Sequence, residues 1–342
     1  MLSFGVPEVR GYGGVGVMID RPGVHLRMTR GQSLPGTRFT ATGPLADRAT
    51  AFARSCADAW RLGDEDACTI EVLEVPPSHA GLGSGTQLGL AVAAGMRQLF
   101  QASGTPPTPD AVVRFDTTTA VELARGVGRG RRSCVGIYGF GGGGLIVEGG
   151  RFVPTDRPRE EDATRPFSPL VARVALPPEW RCVVFGMRDA VGLHGDAEKA
   201  AFARLPPVPR EISAELSRIA LMALLPAAIE GLFEEFSDAL FRYGLLAGKP
   251  FEQASSVLPY AQSTAHLIES LQAWGVRGCG QSSWGPTVMA CCPSEEAADM
   301  LVERFAADDR ARQYDATIAR FDSRGAELRE IALDQAFATG RP

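Results

Sequence analysis

Three short stretches of this 342-residue chain hold residue types that together suit the handling of a phosphorylated substrate. The first is Gly81-Leu82-Gly83-Ser84-Gly85, followed by Thr86 and Gln87. Glycines let a backbone approach a ligand closely. Where such a loop opens a helix, the free first-turn amides and the helix dipole favour an anion. The context fits, because CTIEVLEV before the loop reads as a strand and TQLGLAVAAGMRQLF after it is an unbroken helical run. Ser84, Thr86 and Gln87 add side-chain donors. His79, two residues before the first glycine, either touches a phosphate or serves as a hydrogen-bonded turn residue. No Gly-Lys-Ser or Gly-Lys-Thr follows the loop, so it is not a Walker A motif.

The second stretch interleaves Arg125, Arg129, Arg131 and Arg132 with glycines and ends on Ser133. Guanidinium groups suit a few phosphates, being able to meet two oxygens at once. The third is Gln281-Ser282-Ser283-Trp284, three polar side chains and an aromatic in a glycine-bounded turn ahead of a strand. His194, in VGLHGDAEKAAF, is a further candidate beside Asp196, Glu198 and Lys199. Gly11-Gly13-Gly16 and Gly139-Gly141-Gly144 also match G-x-G-x-x-G, but both run into β-type sequence instead of a helix, so they read as turns.

The elements that must position these groups follow from periodicity. VGVMID, GVHLRM, TRFTAT and CTIEVLEV read as strands, and ADRATAFARSCADAWRLG as a helix with Phe52, Cys56 and Trp60 at helical spacing. Helices are expected from about Thr86 to Phe100 and from Pro109 to about Arg125, then a loop, a short turn or helix, and a β-hairpin around the glycines. PTDRPREEDATRPFSP reads as a linker, which puts one domain at residues 1–164 and a second at 165–342. Beyond it come strands VARVAL and CVVFGM, a helical region from about Glu211 to Leu246 interrupted near Pro226, a helix in PYAQSTAHLIESLQAWG, the strand TVMACC and an acidic helix from Ser294. Strands and helices segregate without regular alternation, so the fold class is α+β.

Composition narrows the functions further. A net charge of -5 gives no global field for a polyanion, so nucleic acid is not an expected partner. Seven scattered cysteines without a C-x-x-C pair, and four dispersed histidines, fit free thiols in a reducing compartment and no zinc site. With no signal-like start and no long apolar run, the expectation is a cytoplasmic protein that spans no membrane.

PPSHAGLGSGTQLGLAVAAGM resembles the second motif of the GHMP kinase superfamily, which includes the galactokinase, homoserine, mevalonate and phosphomevalonate kinases. The resemblance implies a ribosomal S5 domain 2-like N-terminal domain and a ferredoxin-like C-terminal one. Those kinases carry a P-S-G-x-D-like segment whose acid helps activate the acceptor hydroxyl; the matching stretch here is Arg132-Ser133-Cys134-Val135-Gly136, with glycine in the acid's place. YGGVGVMID, GRGRRSCVGIYGFGGGGLIVEGG and GVRGCGQSSWGPT, with the glycine loop, narrow the resemblance to the β-ribofuranosylaminobenzene 5'-phosphate synthases of methanopterin biosynthesis.

That family implies condensation of phosphoribosyl pyrophosphate with 4-aminobenzoate or 4-hydroxybenzoate, releasing carbon dioxide and pyrophosphate. It assigns His79, Gly81 to Gln87, Arg129 and Gln281 to Trp284 to substrate and phosphate binding, with Arg131, Arg132, Ser133 and His194 as catalytic candidates. Trp284 or Tyr138 is expected to wall an aromatic slot. Mg²⁺ is expected with the pyrophosphate, with Glu122 as candidate ligand and Asp20 as a weaker one. A GHMP-type kinase, disfavoured by Gly136, and a non-catalytic phosphoribosyl or nucleotide binder are the rival readings, and a homodimer is the candidate assembly. Two departures from the family stand out: the short MLSFGVPEVRG before Tyr12-Gly13-Gly14, and Cys134 where glycine is usual.

Overall fold

Alternation makes the first sheet. In β5 (Ala67–Glu74), Cys68, Ile70 and Val72 are buried while Thr69 and Glu71 are exposed, the period of two that a half-buried strand requires. The computed structural model describes residues 10–31, 37–101, 111–152, 167–188, 207–249, 261–283 and 285–331. β5 pairs antiparallel with β3 (His25–Gly31) and parallel with β4 (Phe39–Thr42), and α1 (Ala46–Trp60) is the crossover from β4 to β5. α2 (Ser84–Phe100) leaves β5 through the glycine loop and packs against α1, α3 (Thr117–Gly126), α4 (Val135–Phe140) and β3. Leu88, Leu90, Val92, Ala93 and Met96 are its buried contribution to that core.

A second sheet orders β2 (Gly14–Val17), β7 (Leu145–Glu148) and β9 (Leu170–Val174). The pairing of β7 with β9 crosses the expected domain boundary, which itself lies outside the described residues. Leu145 and Val147 of β7 share a core with α5 (Arg210–Ile219), the π-helical turn Ala220–Leu224, α6 (Leu225–Glu230) and α7 (Phe233–Gly248). β1 (Arg10–Gly11) pairs with β8 (Arg151–Phe152), and β6 (Val112–Arg114) with β14 (Glu327–Arg329). The remaining strands, β10 (Arg181–Met187), β11 (Cys279–Gln281), β12 (Val288–Cys292) and β13 (Tyr314–Arg320), form an antiparallel sheet ordered β11-β12-β10-β13. With α8 (Ala261–Ala273) before β11 and α9 (Glu295–Ala306) before β13, this is the ferredoxin-like β-α-β-β-α-β arrangement. The class is α+β.

Three expectations need correction. The helix expected from Pro109 begins only at Thr117, because Asp116 caps it, its Oδ1 accepting the Thr119 amide at 2.7 Å, and Val112–Arg114 pairs as a strand. β7 and β8 follow one another but pair with different strands, so they are no hairpin. The helix break lies at Gly231, in the left-handed conformation, and not at Pro226, which the π-helical turn just before it accommodates. Among the described residues, Arg210–Glu230 is long and apolar enough to cross a membrane, yet Leu216, Ile219, Leu224 and Ala227 on it are core residues.

Since Leu145 is fully buried where β7 meets the helical core, Leu145→Ala should cost about 2–5 kcal/mol, read as a lowered midpoint in denaturant melts.

Candidate active site

The glycine loop turns from β5 into α2 through left-handed backbone at His79, Gly81 and Gly83. Gly83 is the N-cap of α2, and its carbonyl accepts the Thr86 and Gln87 amides, leaving those of Ser84 and Gly85 directed out of the helix end. Ser84 is buried and its hydroxyl donates to the Pro77 carbonyl at 3.3 Å, so at the helix end it offers its amide and not its side chain. Leu82 has a structural side chain: it packs against the cluster of Cys182, Val184 and Ala319 on the second-half sheet.

Two guanidinium groups stand over this helix end. A Cβ built on Gly85 would lie 2.4 Å from Arg48 Nη2 and 3.3 Å from Arg129 Nη2. Arg48 comes from α1, donates to Ser78 Oγ at 3.3 Å and has no carboxylate within 4 Å among the described residues. Arg129 stacks on Phe52 with its guanidinium carbon 4.9 Å from the ring centroid. Two cations beside the positive end of a helix dipole repel one another, and an anion between them relieves all three charges.

The turn after β11 closes against the loop. A Cβ on Gly81 would lie 2.0 Å from the Ser282 carbonyl oxygen, and one on Gly285 would lie 2.0 Å from the Ala80 carbonyl carbon. Ser282 Oγ donates to the Gly81 carbonyl at 2.9 Å. Gln281 accepts from Thr264 at 3.1 Å and donates to the Ser283 carbonyl at 3.1 Å. Loop, turn, the 129–133 segment and His79 line one cleft of about 2020 Å³.

The arginine segment ends in α4, where Gln87 Nε2 donates to the Gly136 carbonyl at 2.8 Å. A side chain at Gly136 would meet Gln87 at 3.2 Å, so the place of the kinase acid is bounded by α2 itself. Ser133 donates to Glu148 Oε1 at 2.6 Å and accepts the Val135 amide at 3.2 Å, which makes it a strut of the loop and not a free nucleophile. Cys134 takes a negative φ of -109°, so its side chain is accommodated; burial pushes its thiol up to about 12 and leaves it protonated and inert.

Glu122 and Tyr138 stand apart from this site. Glu122 pairs with Arg97 at 2.9 Å on α2, thirteen residues and so about 20 Å along the helix from Ser84, and cannot reach the phosphate loop. Asp20 lines the cleft, but its Oδ1 already accepts the Arg320 amide at 2.8 Å. No group of three or more His, Cys, Asp or Glu among the described residues could hold a metal. Tyr138 is buried with its hydroxyl on the Ser168 carbonyl, so it walls no slot. Trp284 and His194 lie outside the described residues. Arg48 and the buried Glu148 went unnoticed in the sequence, one as an ordinary arginine of an amphipathic helix and the other as the end of an apolar strand.

Gly81 carries the most direct test. Gly81→Ala combines a Cβ clash on the Ser282 carbonyl with a φ of +87°, so it should destabilise by on the order of 3 kcal/mol and weaken anion binding at the loop, read by thermal melts and calorimetry.

The chain is 29% identical over 329 residues to the β-ribofuranosylphenol 5'-phosphate synthase of Archaeoglobus fulgidus, covering 92% of this chain and 91% of that one. It is 30% identical over 287 residues to the enzyme of the same name from Methanothermobacter thermautotrophicus, covering 81% and 80%. Among solved structures, the Streptococcus pneumoniae phosphomevalonate kinase superposes with a TM-score of 0.61 at 14% identity over 91% of this chain and 93% of that one. A homoserine kinase from Cytophaga hutchinsonii gives 0.56 at 18% identity over 94% of each chain. No protein-family model matches the chain. With a GHMP-kinase fold and this identity over most of its length, the chain belongs to the β-ribofuranosylphenol 5'-phosphate synthase family of pentosyltransferases.

Proposed function

We propose that this enzyme joins phosphoribosyl pyrophosphate to 4-hydroxybenzoate or 4-aminobenzoate, with loss of carbon dioxide and pyrophosphate, in methanopterin biosynthesis in the cytoplasm. The observation that carries the reading is the convergence of two arginines on a glycine-capped helix N-terminus, in a chain that presents no carboxylate at Gly136 to activate a hydroxyl. The relatives are named for a ribofuranosylphenol product, which favours the hydroxylated acid.

The bond from ribose C1 to the pyrophosphate oxygen breaks, and the leaving group departs with the electron pair. Negative charge grows on the pyrophosphate, where the Ser84 and Gly85 amides, Arg48 and Arg129 are set to receive it. The ring carbon bearing the carboxylate attacks C1 as positive charge develops there. The bond to the carboxylate then breaks, carbon dioxide leaves, and its electron pair restores the aromatic ring. No proton need be removed from the ring, so the site has to orient and exclude water more than it has to supply a base. Mg²⁺, if it accompanies the pyrophosphate, would neutralise part of its charge and would be held mostly by phosphate oxygens and water. The described residues offer it no carboxylate set beside the loop, and the steps above use this chain's own groups alone.

Incubation with Mg²⁺, phosphoribosyl pyrophosphate and carboxyl-labelled acid should release labelled carbon dioxide and pyrophosphate in equal amounts. Silence with both acids would overturn the proposal, and ATP-dependent phosphorylation of an alcohol would favour a kinase. Arg48→Ala should raise the KM for phosphoribosyl pyrophosphate about 10- to 100-fold, the loss of one charge-assisted hydrogen bond.

A further inference from the structure

Glu148, the last residue of β7, is fully buried, and no step above uses it. Both its oxygens are engaged by one stretch of chain: Oε1 accepts the Ser133 hydroxyl at 2.6 Å and Oε2 accepts the Cys134 amide at 2.8 Å. Three residues further on, Arg151 donates through Nη1 to the Arg131 carbonyl. The arginine loop is therefore held from one side by Glu148 and Arg151, and from the other by the Gln87 bond to Gly136.

A carboxyl is a costly anchor for packing alone. Burial pushes Glu148 up from the ordinary carboxylate range against the downward pull of Ser133, the Cys134 amide and the Ser168 side chain, and no cation among the described residues lies within 4 Å of it. An apolar residue would fill this space without that cost. What a carboxylate adds is an acceptor on each oxygen, and here one takes a side chain and the other a backbone amide at the point where the loop becomes α4.

We propose that Glu148 is a positioning residue, which fixes the arginine loop, and with it Arg129 to Arg132, relative to the first turn of α2. The consequence for substrate binding rests on the function proposed above; the consequence for the loop does not.

The test uses the full chain with Glu148→Gln and, independently, Ser133→Ala. Glutamine keeps the size but sets an NH₂ against one of the two donors. Amide hydrogen exchange over residues 129–136, measured by mass spectrometry, should speed up while the rest of the chain exchanges as before. The Kd and KM for phosphoribosyl pyrophosphate should rise about 10- to 100-fold, the scale expected of a misplaced binding group. Ser133→Ala should shift both readouts the same way by less, since the Cys134 bond survives. Exchange and binding like wild type in both variants would overturn the proposal. So would a lowered melting temperature and active fraction with Kd and KM unchanged, the pattern of a purely structural role. Should Glu148→Gln fail to fold, Ser133→Ala decides alone. If the wild-type protein itself binds no phosphoribosyl pyrophosphate, the functional reading fails while the exchange comparison still judges Glu148.

Discussion

The contact between the Ala80-Gly81 backbone and the Ser282–Gly285 turn joins segments two hundred residues apart, at a distance that leaves no room for a Cβ on either glycine. Without it the glycine loop would be an open strand-to-helix turn. With it, the loop becomes one wall of a cleft whose other walls come from both halves of the chain. Leu82 reinforces the contact from beneath by packing on the second-half sheet, so the residue with the least chemistry in the loop holds it in place.

Charge follows from that placement. α1 and the segment after α3 bring Arg48 and Arg129 to the end of α2 that is already positive. Two guanidinium groups beside the positive end of a helix dipole favour an anion at that point. Gly136 presents no side chain to the cleft, and its carbonyl is bound to Gln87, which ties α4 to the first turn of α2.

Much of this was legible in the sequence because it depends on backbone. Glycines between a strand pattern and a helix pattern announce an anion-binding helix end, and the motif order carried the fold. Side-chain destinations were harder to read. Arg48 belongs to ADRATAFARSCADAW, where a charged residue ordinarily faces water, and only the crossing of α1 over α2 turns it toward the loop. Glu148 ends LIVE, where nothing in spacing separates a buried acceptor from an exposed strand end. Ser133 looked reactive beside arginines and is spent on structure, while Tyr138 looked like an aromatic wall and is tied to Ser168. Glu122 lies on the helix that leads into the arginine loop, which suggests a site role, yet its side chain pairs with Arg97 on α2, far from Ser84.

A crystal structure of the protein with phosphoribosyl pyrophosphate tests the central claim most directly. The account predicts phosphate oxygens within hydrogen-bond reach of the Ser84 and Gly85 amides and of Arg48, with ribose C1 facing the cleft. A pyrophosphate group seated away from that helix end, or no complex at all where an adenine nucleotide binds at the same loop, would contradict it.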